Sequence, residues 1–186
     1  HPLLSPVHEL ADAEGRSLLP DVSSWVSEAD HGGDPLRLTI PDARPGDPDF
    51  FIEPRMASQF RIVVTFVEPP SRGELRDASF LVAKNEGGVI TFESVSPSGY
   101  DDENGELEFQ AGMPSDPTSI NFRIFDSEGT IISERQFAII PGDINGDGVV
   151  DAADETALAA DGTSAGANEL AIRSDIDLNG EVQASN

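Results

Sequence analysis

The chain of 186 residues has no cysteine, a single lysine at Lys84, one tryptophan, one tyrosine and no long hydrophobic run. Without cysteine there is no disulfide framework, zinc–thiolate site, haem-attachment motif or cysteine nucleophile. Calcium can take the place of disulfides as a staple, so the lack of cystine does not exclude export. No apolar stretch is long enough for a helix to span a bilayer. Bases are scarce: 11 Lys and Arg stand against 35 Asp and Glu, for a net charge of −24. Phosphate backbones are recognised by clustered Lys and Arg, so nucleic acid is excluded as a partner. Anionic membrane surfaces are disfavoured for the same reason. This balance suits multivalent cations, a salty medium, or both. Aromatics make up 6% of the chain, too few to line a sugar cleft but enough, within 38% hydrophobic residues, for a modest core. The length accommodates one ordinary domain plus a small module.

What the sequence does contain is concentrated near its C-terminal end. Gly142–Asp154 reads GDINGDGVVDAAD. Asp143, Asn145 and Asp147 supply side-chain oxygens at loop positions one, three and five, and Gly148 takes the sharp turn at six. Val149 offers a carbonyl at seven, Asp151 sits at nine, and Asp154 closes the loop at twelve as a shorter arm than the usual Glu. A hard cation needs six to eight oxygens, and this spacing delivers them from one segment. A twin follows, with Asp175, Asp177 and Asn179 at one, three and five and Gly180 at six. Glu181 and Gln183 stand at seven and nine, and Asn186 at twelve. Val150 and Val182 occupy position eight in each, the apolar position through which paired loops meet. Two bound Ca²⁺ ions are expected. Between the loops, Asp151 is placed to cap a helix over residues 152–160, and residues 165–173 suit a second helix.

Paired loops without a preceding helix resemble a type I dockerin module over Gly142–Asn186. The resemblance implies calcium binding and docking to a cohesin-like partner. The partner-reading positions ten and eleven, polar in that family, are here Ala152, Ala153, Ala184 and Ser185.

Upstream, residues 36–140 read as about seven short strands divided by turn residues. Phe60–Val67 puts Phe60, Ile62, Val64 and Phe66 on one face. Val89–Val95 alternates, and Ser119–Phe125 and Thr130–Ile140 flank the hairpin turn Asp126-Ser127-Glu128-Gly129. The expected fold class is mainly β: an antiparallel sandwich with a small C-terminal α module. Phe60–Pro69 followed by Leu75–Val82 resembles a bacterial Ig-like domain of exported surface proteins, and Ile90–Gly99 is similar to a strand of cohesin-like sandwiches. The expected organisation is an N-terminal extension or arm over 1–35, a sandwich over 36–141 and paired calcium loops over 142–186. In the arm, Asp21–Ala29 is expected to form a helical turn or two around Trp25. His1 without an initiating Met suggests removal of a signal peptide.

Chemistry beyond cation binding finds little support. A copper brace at His1 needs a second His from the folded core, and His8 and His31 both lie in the expected arm. No nucleophile-elbow glycine pattern surrounds a serine, and no phosphate-cradling glycine loop occurs. The acidic clusters at Asp42, Asp47, Asp49 and at Asp101–Glu106 read first as solvated turns. The expectation is a non-catalytic, extracellular or cell-surface structural protein that assembles with copies of itself into a fibre or layer. The alternative is a docking module for a cohesin-like protein.

Overall fold

The computed structural model describes residues 19–31, 34–55, 59–112 and 117–161. The chain is mainly β. Among the described residues ten strands run in sequence order: β1 (Val22–His31), β2 (Asp34–Thr39), β3 (Ile52–Glu53), β4 (Gln59–Phe66), β5 (Ser79–Glu86), β6 (Val89–Val95), β7 (Gly99–Asp101), β8 (Glu106–Gly112), β9 (Thr118–Phe125) and β10 (Ile131–Ile139). Two helices are described, α1 (Arg72–Asp77) and α2 (Ala152–Asp161).

The strands form two five-stranded sheets, ordered β2-β1-β4-β8-β7 and β3-β10-β9-β5-β6. Alternation decides which side of each strand is buried. Phe60, Ile62, Val64 and Phe66 of β4 turn inward, as do Ile120, Phe122 and Ile124 of β9. The sheets meet through rings. Trp25 of β1 stands 5.2 Å edge-on to Phe122 of β9. Phe109 of β8 packs at 4.8 Å on Phe122 and at 5.0 Å on Phe80 of β5. Each such pair contributes about 0.5–1.5 kcal/mol beyond the area it buries. This is the two-sheet arrangement that the alternation predicts.

Two strands escape the sequence pattern. β7 is three residues long. β1 is the larger correction: Val22–His31, expected partly as helical turns in an arm, is a full strand between β2 and β4. Its inward residues are Trp25, Ser27 and Ala29, all buried, and its outward Glu28 is buried as well. Arg37 donates from Nε to Glu28 at 2.6 Å and bridges on to Glu106 at 2.8 Å, while Arg61 pairs with the other Glu28 oxygen. Residues 1–18 of the expected arm lie outside the described residues.

Helix α1 is held by a capping box. The Ser71 hydroxyl accepts from the Glu74 N–H, and the Glu74 carboxylate accepts from the Ser71 N–H. Among the described residues no helix is long and apolar enough to cross a membrane.

Candidate metal centre

The first oxygen-rich loop leaves the second sheet at the end of β10. β3 runs parallel to β10 through Ile52 and Glu53, and the pairing continues past it. The Ile140 N–H donates to the Glu53 carbonyl at 3.1 Å, and the Gly142 N–H to the Pro54 carbonyl at 2.8 Å. The loop is thereby bonded to the sandwich at its first residue.

Those two carbonyls belong to a segment that is itself fixed from inside. Glu53 and Arg55 are each 1% exposed. Arg55 binds Glu53 through two nitrogens, at 2.6 and 2.7 Å, and donates to the Leu36 carbonyl at 3.0 Å and to Ser27 Oγ at 3.1 Å. The Ser27 hydroxyl also donates to Glu53. A buried charge pair is tolerated when its geometry is bidentate and its remaining protons are satisfied, and both conditions hold here. The network ties β1 and β2 of one sheet to β3 of the other. Nothing in the spacing of Ser27, Glu53 and Arg55 announces it.

Within the loop, Asp143 and Asp154 are buried and act as its two hubs. Asp143 accepts backbone N–H groups from Gly146 at 2.8 Å, Asp147 at 3.2 Å and Gly148 at 2.8 Å. Asp154 accepts from Ile144 at 2.7 Å, Asn145 at 3.1 Å and Asp151 at 2.8 Å. Such a tight coil of donors around one carboxylate needs left-handed backbone, and Gly146 and Gly148 supply it with φ of 78° and 90°. Ile144 at position two is buried and seats the loop. Asp151 accepts from the Ala153 N–H at 2.7 Å and so caps α2, as its position predicts.

The electrostatics are those of a site short of positive charge. Burial pushes the Asp143 carboxyl above its ordinary value, against the pull of the Gly148 and Gly146 N–H groups, and the charges of Asp154 and Asp147 push it further. A carboxylate offers about four acceptor sites. Asp143 and Asp154 each use three on backbone donors, leaving one free on Oδ2 in each case. Asp147 takes the Val149 N–H on one oxygen and the Asn145 side-chain amide on the other, and Asn145 Oδ1 takes the Asp147 N–H. Among the described residues no three His, Asp or Glu side chains stand together as a ready cage. Acceptor capacity thus remains on Asp143 and Asp154, while Asn145 and Asp147 are engaged with each other and with the Val149 N–H. Asp151 is turned to its helix. Asn145, Asp147, Val149 and Asp151 are exposed.

The second set, Asp175, Asp177, Asn179, Glu181, Gln183 and Asn186, lies outside the described residues, as do the helix expected over 165–173 and any contact of Val150 with Val182. The two other acidic clusters lie in turns. Asp101 accepts from Glu103 and Asn104 and is held below its ordinary carboxylate value, chiefly by the Asn104 side chain. Asp47 accepts from the Arg44 N–H, and Asp42 pairs with Arg135.

Compared with known proteins, the chain matches no family model and no curated sequence.

Proposed function

We propose that the chain is a non-catalytic, calcium-stabilised structural protein of the cell exterior, in which an Ig-like sandwich carries a dockerin-like calcium module and copies assemble into a fibre or layer. The observation that carries this reading is the loop Asp143–Asp154. Two buried carboxylates, each ringed by three N–H groups, crowd together in a molecule of net charge −24, and the loop is bonded to the sheet through Pro54. A divalent cation held by Asp143, Asn145, Asp147, Val149, Asp151 and Asp154 would neutralise that crowding and brace the scaffold. The second loop would hold another ion through Asp175, Asp177, Asn179, Glu181, Gln183 and Asn186.

The test is thermal unfolding in millimolar calcium and in chelator. Calcium at a hundred times its dissociation constant adds about 2.7 kcal/mol to the folded state. A clear rise in Tm is expected, reduced in Asp143→Asn and in Asp154→Asn. Identical melting with and without calcium would overturn the reading.

A second reading, docking to a cohesin-like partner, has one observation in its favour. Val149, Val150, Ala152 and Ala153 are all exposed on the loop and the start of α2. Calcium-dependent capture by purified cohesin domains would support it, and its loss in Ala152→Asp would locate the contact.

A further inference from the structure

The last strand of the second sheet is β6. Among the described residues nothing pairs with its outer edge. Its residues from Val89 to Ser94 are exposed on both faces, with Phe92 67% and Ile90 59% exposed. The hairpin that leads into it turns through Gly87 and Gly88, at φ of 56° and 86°, and sets Glu86 opposite Val89. Two central residues of positive φ make a type I′ turn, which closes on a hydrogen-bonded pair. Alternation along an antiparallel ladder then fixes the rest. Val89, Thr91, Glu93 and Val95 bond inward to β5. Ile90, Phe92 and Ser94 direct their N–H and C=O groups outward. The side chains of those same three residues lie on the sheet's outer face, beside Leu81 and Ala83.

Charge selects the occupant. Two copies of a chain at −24 repel over most of their surfaces. On the outer face of this sheet the strands present Arg123 and Glu134, and these pair with each other. The one charge of β6, Glu93, points to the other face and pairs with Lys84 at 2.8 Å. The outer face beside the edge thus carries no net charge, and on the inner side Glu86 of β5 adds one carboxylate beside the Lys84–Glu93 pair.

We propose that β6 is a self-association edge, where two copies join antiparallel about a two-fold axis through Phe92 to form a continuous ten-stranded sheet. In that register Phe92 of one copy faces Phe92 of the other, Ile90 faces Ser94, Val89 faces Val95, and Thr91 faces Glu93. The segment VITFESV is close to self-complementary, and no like charges oppose each other. Moving the axis to Glu93 would set two carboxylates face to face, which is disfavoured. The apolar area is small for a standard interface, so the main-chain ladder holds the pair. Salt strengthens it by screening the repulsion between the two acidic bodies. The inference gives the assembly part of the proposed function its surface and rests on that reading only for its purpose.

Analytical ultracentrifugation of the full chain tests it, at low and high salt over a range of concentrations. A monomer–dimer equilibrium that tightens with salt is expected. Phe92→Lys, which opposes two ammonium groups, should weaken it at least about tenfold. Ser94→Pro, which removes an outward N–H, should weaken it as well. In this cysteine-free chain, Phe92→Cys should be captured by a short thiol-to-thiol cross-linker. Ile90→Cys, whose two copies would lie about 14 Å apart, should not. A wild-type chain that stays monomeric throughout overturns the proposal. So does association indifferent to Phe92→Lys, or association abolished by deleting residues 1–18 while Phe92→Lys leaves it intact. Calcium uptake should be equal in wild type and Phe92→Lys, so failure of the edge and failure of the calcium reading are separable.

Discussion

Ser27, Glu53 and Arg55 show at the residue scale how this fold tolerates charge in its interior. The guanidinium satisfies both carboxylate oxygens and reaches the Leu36 carbonyl, so neither ion is left uncompensated. Removing one partner strands the other. Arg55→Leu or Glu53→Leu alone is expected to cost about 3–5 kcal/mol, while the double replacement costs far less. Urea denaturation of the two single variants and the double variant measures this. Glu134 carries a pH dependence. Burial raises its carboxyl, but the Asn121 side chain and then Arg123 overcome burial, and the net shift is downward. A lowered folded value means stability that is present above the unfolded Glu value of about 4.3 and is lost as pH falls through the folded value. The stability advantage of wild type over Glu134→Gln should therefore hold at neutral pH and vanish in acid. Equal advantages at both pH values would contradict it.

Among the elements, helix α1 and the Asp143–Asp154 loop are each set by a few local contacts, which makes them testable separately. Ser71→Ala removes half of a capping box and should cost about 1 kcal/mol. Gly148→Ala forces a side chain into the left-handed region that closes the ring of donors on Asp143, and should weaken calcium binding without unfolding the sandwich. Isothermal titration beside a thermal melt separates the two effects. What was legible in the sequence follows the same local logic. β4, β6 and β9 alternate cleanly, and the Asp126–Gly129 turn was visible because Asp126 caps it with bonds from Glu128 and Thr130. β1 was not visible. Its buried face is Trp25, Ser27 and Ala29, and its buried outward residue is Glu28, so its strand character comes from its neighbours rather than from propensity. The helix cap at Asp151 was legible in the sequence, whereas the bond from Gly142 to Pro54 joins residues far apart in sequence and leaves no periodic trace.

Over the whole molecule, the organising relation runs from interior to rim. The buried Arg55 network fixes β3, β3 fixes Pro54, and Pro54 holds the entrance of a loop whose two buried carboxylates repel. A cation there should therefore stabilise the sandwich and the loop together. One cooperative melting transition is expected to move when calcium is added, rather than a separate transition of the C-terminal segment alone. The most direct measurement is calorimetric titration of calcium into chelator-stripped protein. The account predicts saturable binding whose tighter component is lost in the Asp143→Asn, Asp154→Asn double variant. Absence of binding heat together with unchanged stability, or titration curves the same in wild type and double variant, would contradict it.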